Sequence, residues 1–389
     1  MLKEVRIKNY KSIQKLKLEL GRVTVLIGEN GCGKSNILEA IALASAAASD
    51  KLDNEFLAAR GIRVTEPRFM RSAFDKENLD KDINIEFRKD DKEQFSCILQ
   101  NDNSPYSQWV SKNFFDSPEP SLKDAVNLLV QKYGGKDKLK SILEEETELA
   151  EQIFSNFQKD AKSFIPIINL TNFLIYAPEN AALRTFEQEG QIQPLGINGQ
   201  GLFKLLSFLT FDKNQDKLNQ IKKKLQLIDW FKDFEVPKNL AVMQTAIQIT
   251  DRYLDADLSY FDQRSSNEGF LFLLFYFTLF ISELTPKFFA IDNIDASLNP
   301  RLCRRLIQEL VELAKEHDKQ VILTTHNPGV LDGLDLDDDE QRLFTIYRSL
   351  LGHTKAIRIL KPKPLEGQEP VDLSEAFLRG YIGGLPENF

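Results

Sequence analysis

The sequence predicts an α/β protein built around a parallel β-sheet, and two stretches of the chain carry that prediction. Gly28–Ser35 is a glycine-rich segment that lies between apolar Val23–Ile27 and the helical pattern of Asn36–Leu43. Towards the other end, apolar Phe288–Ile291 and Val321–Thr325 are separated by leucines at helical spacing. A helix that joins two apolar strands in this way implies a parallel pair with a right-handed crossover.

The glycine-rich segment reads Gly-Glu-Asn-Gly-Cys-Gly-Lys-Ser and matches the phosphate-binding-loop pattern G-x-x-x-x-G-K-[ST] without a gap. Its glycines allow backbone N–H groups to point at an anion, and the N-terminus of the following helix adds partial positive charge. Lys34 can reach the β- and γ-phosphates, while the Ser35 hydroxyl can hold Mg²⁺. We therefore expect a nucleoside triphosphate to bind here. The expected contacts are Asn30, Gly31, Cys32, Gly33, Lys34, Ser35 and Asn36.

The length and the net charge of the chain limit which class of protein it can be. The 389 residues suffice for about two domains, and the net charge of −8 argues against a surface that is basic throughout, as nucleic-acid-binding domains usually have. Basic residues do crowd the N-terminus, where they form either the solvated face of an edge hairpin or a local binding patch. They are Lys3, Arg6, Lys8, Lys11, Lys15 and Lys17.

The expected location of the protein is the cytoplasm. Cys32, Cys97 and Cys303 are odd in number and widely spaced, which favours a reducing compartment over a disulfide framework. The first residues lack the apolar core of a signal peptide. The apolar run Phe270–Ile281 is shorter than the roughly 20 residues that span a bilayer, so we predict a buried core helix and no membrane contact.

The order of these patterns divides the chain into four parts. An N-terminal ATPase lobe, 1–103, holds the phosphate loop, two predicted strands before it and a further strand pair after it. A helical insertion is expected over 104–170. A second lobe with strand and helical segments covers 171–260, and 261–389 holds the apolar helix, the later strand–helix–strand unit and a C-terminal tail.

The second half of a nucleotide site is predicted at the ends of the two later strands. A phosphate loop works with an Asp that ends an apolar strand and holds Mg²⁺, and Asp292 directly follows Phe288–Ile291. His326 ends the next strand, where it can reach a γ-phosphate. Neither His317 nor His353 has such a setting, and both are predicted at the surface.

Five segments together resemble the ATP-binding-cassette (ABC)-type ATPase heads of the RecF, Rad50 and SMC proteins. Within this class the chain is similar to the stand-alone ATPases related to the overcoming-lysogenization-defect (OLD) proteins of bacterial defence systems, the AAA-15 and AAA-21 types. The segments are the N-terminal strand Ile7–Ile13, Walker A at Gly28–Asn36, the signature motif at Arg264–Gly269, Walker B and the D-loop at Ile291–Pro300, and the switch histidine at Thr324–Pro328.

The resemblance implies a P-loop NTPase fold of the ABC-type head class, in which a mixed, largely parallel sheet carries helical insertions. It also implies ATP and Mg²⁺ as ligands, with Ser35 and Asp292 on the metal and Lys11 and Ser12 on the nucleotide. Two heads would form an ATP-bridged homodimer or higher oligomer, in which the signature motif of one subunit contacts the ATP held by the other. The signature residues that would make this contact are Ser265, Ser266, Asn267 and Gly269.

One position departs from the pattern of the family. The family places Glu directly after the Walker B Asp, where it orients or deprotonates the attacking water, and this chain has Asn293 there. An amide accepts no proton as a general base, although it can still position water. The expected catalytic residues are therefore Lys34, Asp292, Asn293 and His326, with slow hydrolysis and long-lived ATP-bound dimers.

The resemblance leads to an ATP-dependent molecular switch, the ATPase subunit of a bacterial anti-phage defence system that controls a separately encoded effector protein. Two alternatives stay open. A RecF-like DNA-repair ATPase would bind DNA through the lysine-rich N-terminal strands in a salt-sensitive way. A sensor that binds ATP without hydrolysing it would follow if Asn293 abolishes turnover.

Overall fold

Two β-sheets with a helix between them organise the protein. A five-stranded antiparallel sheet from the N-terminal part of the chain faces a six-stranded mixed sheet, in which five neighbouring strands run parallel. The computed structural model describes residues 1–89, 94–104, 107–115, 169–185, 192–211, 214–236, 246–255, 257–361 and 371–385.

The described residues form thirteen strands and nine α-helices, and strands and helices alternate one by one from Glu268 to Thr325. The strands are β1 (Glu4–Tyr10), β2 (Ile13–Glu19), β3 (Val23–Ile27), β4 (Ile83–Arg88), β5 (Gln94–Gln100), β6 (Val110–Phe115), β7 (Ile175–Tyr176), β8 (Phe231–Glu235), β9 (Gln248–Asp251), β10 (Phe288–Ile291), β11 (Gln320–Thr325), β12 (Gln341–Arg348) and β13 (Thr354–Ile359). The helices are α1 (Lys34–Ala48), α2 (Asn54–Ala59), α3 (Pro67–Met70), α4 (Asn180–Leu183), α5 (Leu202–Phe208), α6 (Gln215–Leu225), α7 (Glu268–Ile281), α8 (Pro300–Glu316) and α9 (Leu373–Leu378). Short 3₁₀ helices cover Lys76–Asn78 and Pro328–Gly333.

The mixed sheet positions the site. Its strand order is β13-β12-β3-β11-β10-β7, so the strand before the phosphate loop pairs with β11, which in turn pairs with β10. All residues of these three strands are buried, which explains their continuous apolar sequence, because packing covers both faces of a parallel sheet. The carboxyl ends of β3, β10 and β11 therefore meet at one edge, where ligands bind in open α/β sheets.

Helix α1 lies between the two sheets. It contacts β1, β4 and β5 of the antiparallel sheet as well as β7 and β11 of the mixed sheet. A helix covered on all sides needs no polar face, and most of α1 is accordingly alanine, leucine and isoleucine. The Glu39 carboxylate in its middle is 1% exposed and is paired with Lys11 and Arg63, which compensates the cost of burying the charge.

Helix α7 packs on the opposite face of the mixed sheet. The Asn267 side chain caps it by accepting a hydrogen bond from the backbone N–H of Phe270, and every residue from Phe270 to Ile281 is buried. Phe280 meets Phe289 of β10 edge-on, with ring centroids 5.2 Å apart. The prediction of a buried core helix is thus confirmed. Within the described ranges, no helix combines the length and the hydrophobicity of a membrane span.

The N-terminal strands agree with the sequence, but the predicted insertion begins differently. The β1–β2 hairpin and the antiparallel β4–β5 pair are both present as expected. Val110–Phe115, within the segment expected to be helical, instead forms β6 and pairs with β5. The edge of β5 supplies backbone hydrogen bonds to this segment, which local residue spacing does not reveal. The rest of the predicted insertion, up to residue 168, lies outside the described residues.

The prediction that His353 lies at the surface is wrong. The residue is 7% exposed, because the turn between β12 and β13 folds back so that the His353 ring meets the Phe74 ring edge-on. His317 is partly exposed, and its Nε2 lies 3.0 Å from the side-chain oxygen of Gln220. The contact of His353 with Phe74 brings two distant segments together near the phosphate loop.

The packing of α7 on β10 can be tested by Phe280→Ala. We expect this change to lower the free energy of unfolding by about 3–5 kcal/mol, because it removes a buried ring and leaves a cavity. Phe211→Ala, at a position that is 62% exposed, is the control and should change stability by less than about 0.5 kcal/mol. Urea unfolding followed by circular dichroism measures both variants. Equal effects would contradict the placement of Phe280 in the core.

Candidate nucleotide-binding site

The phosphate loop is clamped between distant parts of the chain. Gly31 and Gly33 have φ angles of +76° and +108°, in the region that favours glycine. A Cβ at Gly33 would lie 2.1 Å from Thr354 Oγ1 and 2.9 Å from Ser12 Oγ, so no side chain fits there. The Thr354 hydroxyl also donates to the Cys32 carbonyl at 2.8 Å. The backbone conformation that a phosphate needs is therefore held by the β1–β2 turn and by β13.

The Lys34 side chain folds over its own loop. Its Nζ donates to the Gly28 carbonyl at 2.9 Å and to the Glu29 carbonyl at 3.1 Å. Burial lowers the pKa of Lys34, whereas the neighbouring Cys32 and Asp292 oppose this shift. A phosphate oxygen is a stronger partner for an ammonium than a carbonyl, so these two hydrogen bonds can be exchanged for a phosphate.

Ser35 and Asp292, predicted as a pair from opposite ends of the chain, are in direct contact. Ser35 Oγ donates to Asp292 Oδ2 at 2.9 Å. The other carboxylate oxygen of Asp292 accepts a hydrogen bond from Thr324 Oγ1, a residue of β11. The strand ends of β10 and β11 and the first turn of α1 are thereby joined through one carboxylate.

Asn293 adopts an unusual backbone conformation. Its φ angle is +55°, which asparagine tolerates better than most other non-glycine residues. Its backbone N–H donates to Thr324 Oγ1 at 2.9 Å, so the same hydroxyl holds both Asp292 and the turn after it. The residue is exposed at the edge where β3, β10 and β11 end. The Asn293 amide is therefore presented to solvent directly after Asp292.

His326 lies beside the phosphate loop. Partial burial and the Lys34 ammonium lower the pKa of His326, whereas Asp295, Asp292 and a hydrogen bond to the Gly28 backbone raise it, and the net shift is downward. The imidazole is therefore neutral at pH 7 and can either donate or accept a hydrogen bond. Thr325 Oγ1 donates to Asp295 Oδ1 at 2.6 Å, which ties the end of β11 to the D-loop segment.

The remaining predicted nucleotide contacts surround the start of α1. The Asn36 amide donates to Ser12 Oγ at 2.6 Å, and Ser12 Oγ lies 2.7 Å from Thr354 Oγ1. Lys11 sits in the β1–β2 turn with a φ of +44°, and its ammonium pairs with Glu39. Asn30 and Gly31 are exposed at the tip of the loop, while Cys32 is buried. The structure places these residues around the loop, and their contacts with a nucleotide stay a prediction.

The signature residues form a separate loop before α7. Ser265 is exposed and Ser266 is buried. No hydrogen bond or ion pair joins them to the phosphate loop among the described residues. The backbone of this loop is held by Arg184, whose guanidinium donates to the carbonyls of Gln263, Arg264 and Ser266 at 2.6, 2.7 and 2.9 Å. The structure therefore does not bring the signature residues into the site formed by Lys34, Asp292 and His326.

The residues at the strand ends fit a bound Mg²⁺. The ion prefers hard oxygen ligands and is usually held by one or two protein groups together with water and substrate phosphates. The Ser35 hydroxyl and the Asp292 carboxylate offer such oxygens within 2.9 Å of each other. No cluster of three or more His, Cys, Asp or Glu side chains suited to a metal occurs in the described ranges.

Three residues of this region carry no obvious signal in the sequence. Thr324 bridges Asp292 and Asn293, and only its place two residues before His326 could have indicated it. Thr354 contacts the phosphate loop from 322 residues away, and Arg184 supports the signature loop from 82 residues away. Such partners are set by the topology of the sheet and not by local spacing.

A protein-family model matches residues 23–332 of the chain. It is AAA_21, described as "AAA domain, putative AbiEii toxin, Type IV TA system". The matched range includes the phosphate loop, Asp292 and His326, and it covers well over half of the chain.

Two of the solved structures that match this chain are SMC heads. An SmcHead bound to the C-terminal winged-helix domain of ScpA has a TM-score of 0.56 at 14% identity, covering 92% of this chain and 98% of that one. The SMC head domain from Thermotoga maritima has a TM-score of 0.47 at 16% identity, with coverage of 92% and 98%. The first likeness establishes an ABC-type ATPase head fold of the SMC class, as predicted.

A relative with a local match is the uncharacterized protein MJECL10 of Methanocaldococcus jannaschii. The two proteins are 48% identical over 44 residues, which are 11% of this chain and 20% of that protein. The chain thus spans about a fifth of the length of this relative.

The bridging role of Thr324 can be tested with the isosteric change Thr324→Val. We expect it to lower the free energy of unfolding by about 1.5–3 kcal/mol, because the Asp292 carboxylate and the Asn293 N–H both lose a partner. Thr278→Val is the matched control: that hydroxyl is also buried, but in the described part of the chain it bonds only to the Leu274 carbonyl of its own helix. Thermal and urea unfolding measure both. A smaller effect at 324 than at 278 would refute the bridge.

Proposed function

The chain belongs to the AAA_21 family of AAA domains, and on this premise we propose that it is an ATP-dependent molecular switch that hydrolyses ATP slowly. The observation that carries the proposal is the 2.9 Å contact between Ser35 and Asp292. It unites a phosphate loop with a strand-end carboxylate, and this pair of elements is what binding of a Mg²⁺-nucleoside triphosphate requires.

Different groups in and around the loop would bind different parts of the nucleotide. Backbone N–H groups of the loop and the N-terminus of α1 would hold the β-phosphate, and Lys34 would exchange its carbonyl partners for phosphate oxygens. Ser35 and Asp292 would hold Mg²⁺, which when bound neutralises charge on the phosphates. His326 is neutral at pH 7 and would hydrogen-bond the γ-phosphate from the β11 side.

Slow hydrolysis follows from the chemistry of Asn293. Its amide can orient an attacking water but cannot take up the proton, and a general base typically contributes a factor of about 10²–10⁴ to the rate. The left-handed backbone at this position also suits asparagine or aspartate better than glutamate. The site would therefore keep ATP bound for long periods before hydrolysis.

Assembly through ATP is the second part of the proposal. The signature loop is exposed at Ser265 and is held in shape by Arg184, while among the described residues it makes no hydrogen bond to the phosphate loop. A second copy of the chain would bring this loop to the γ-phosphate of the first. Loss of that phosphate would remove the bridge, so ATP would favour assembly and hydrolysis would favour release.

The biological setting is the third part. From the resemblance of the motifs to OLD-related ATPases, we propose the ATPase subunit of a bacterial anti-phage defence system, with the switch acting on a separately encoded effector. The family description mentions a putative AbiEii toxin of a type IV toxin–antitoxin system, which is a different setting from anti-phage defence.

Charge pairing disfavours the alternative of a RecF-like DNA-binding ATPase. Lys17 and Arg6 both pair with Glu4, at 2.9 and 2.6 Å, and Lys8 lies 3.6 Å from Glu86. Much of the positive charge on the N-terminal strands is therefore compensated within the protein. DNA binding through these strands would be weak, and it would fall steeply with salt.

The effect of Asn293 can be tested by measuring Mg²⁺-ATP hydrolysis with Asn293→Asp. We expect this variant to hydrolyse ATP at least about tenfold faster than the wild type, because aspartate adds a general base and tolerates the same backbone conformation. Asn293→Glu should also be faster, but its unfolding free energy should fall by about 1–2 kcal/mol from the left-handed backbone.

Two controls define what the rates mean. Lys34→Ala should abolish hydrolysis, and Asn293→Ala should not exceed the wild-type rate because it adds no base. Turnover per subunit should rise with protein concentration if two copies complete the site. Wild-type turnover that is already fast, with no gain in Asn293→Asp, would contradict the role given to Asn293. Tight ATP binding with no turnover at all would favour the alternative of a sensor that binds ATP without hydrolysing it.

A further inference from the structure

An exposed phenylalanine stands next to the phosphate loop. Phe74 lies in the segment between α3 and β4, and 53% of its surface is exposed. A large aromatic ring that is open to solvent and yet fixed in position offers a face on which another flat ring can stack.

Residues at the end of β12 and in the turn after it fix this ring. The Arg348 guanidinium carbon lies 5.3 Å from the centroid of the Phe74 ring, and the His353 ring meets it edge-on at 5.8 Å. Gly352 has a φ of +77°, and a Cβ there would lie 3.0 Å from a carbon of the ring. The glycine thus lets the turn approach closely, so part of the ring is packed while about half of it stays open.

The same arginine is bonded to the phosphate loop. Arg348 Nε donates to the Gly31 carbonyl at 2.9 Å, and another nitrogen of its guanidinium donates to the Gly352 carbonyl. No other hydrogen bond of the Arg348 side chain occurs among the described residues. A guanidinium has five N–H donors, so some of those of Arg348 remain available to a ligand. At Gly31, apart from the glycine itself and its two chain neighbours, no described atom lies within 4 Å of the position of a Cβ. Ring, guanidinium and loop therefore form one connected unit beside open space.

We propose that Phe74 is the stacking platform for the base of the nucleotide whose phosphates the loop holds, and that Arg348 positions the ring against the loop. This inference rests on the proposed function, since it assumes that a nucleotide binds there. Lys11 and Ser12, which the family resemblance assigns to the nucleotide, are not aromatic, and their polar groups already contact Glu39 and Thr354. They therefore offer the base no stacking partner.

The ligand class is an aromatic base joined to a di- or triphosphate. Stacking on a phenylalanine needs only a π-face, so it adds affinity without demanding a particular base. Inorganic tripolyphosphate can occupy the loop but has no base to stack. The difference between ATP and tripolyphosphate therefore isolates the contribution of Phe74.

The test compares binding of Mg²⁺-ATP and Mg²⁺-tripolyphosphate by isothermal titration calorimetry in the full chain. Phe74→Ala should weaken ATP binding by about tenfold or more, as expected for a lost base–aromatic stack, and leave tripolyphosphate binding unchanged. Phe69→Ala is the matched control and should change neither ligand. Phe69 is 54% exposed and has Arg68 over its ring at 5.0 Å, but no described hydrogen bond ties Arg68 to the phosphate loop.

A second variant keeps an aromatic ring at position 74, so it separates loss of stacking from misfolding, and it adds a spectroscopic readout. Phe74→Trp should retain ATP affinity, and its fluorescence should change with ATP but not with tripolyphosphate. Equal weakening of both ligands in Phe74→Ala, or unchanged ATP affinity there, would overturn the inference while leaving nucleotide binding intact. Failure of the wild type to bind either ligand would instead overturn the proposed function itself.

Discussion

The carboxylate of Asp292 is the point on which the site depends. It accepts hydrogen bonds from Ser35, 257 residues earlier, and from Thr324, 32 residues later. These groups can meet only because β3, β11 and β10 are parallel neighbours whose carboxyl ends lie at one edge. A change in strand order would separate the phosphate loop from its acidic partner, so the topology of the mixed sheet is the condition for any chemistry here.

Burial of α1 fixes the other half of the site. Because the helix is enclosed between two sheets, packing against both of them anchors its N-terminus and the loop before it. The partial positive charge of the helix N-terminus is thereby aimed at a constant place, which favours an anion without reorganisation. Glu39 of the same helix forms ion pairs with Arg63 and with Lys11 of the β1–β2 turn. The same residues therefore contribute both to the stability of the core and to the shape of the site.

Local patterns predicted the parts of the site that lie within single segments. The phosphate loop, the strand-end Asp292 and the buried helix α7 follow from spacing and hydrophobicity, which short sequences encode. The contacts of Thr354 with the loop, of Arg184 with the signature loop and the pairing of β6 with β5 join segments far apart in the chain. No periodicity records such contacts, because they arise only when the sheets have formed.

Asn293 is the residue on which the proposed slow switch depends. Its left-handed backbone is held by the Thr324 hydroxyl, and we propose that its exposed amide takes the place of a general base without being able to accept a proton. We propose that bound ATP, long-lived for this reason, holds two copies of the chain together. The most direct measurement is the molar mass of the protein by multi-angle light scattering with Mg²⁺-ATP and with Mg²⁺-ADP. We expect twice the mass of one chain with ATP and the mass of one chain with ADP; an identical mass with both nucleotides would contradict assembly through ATP.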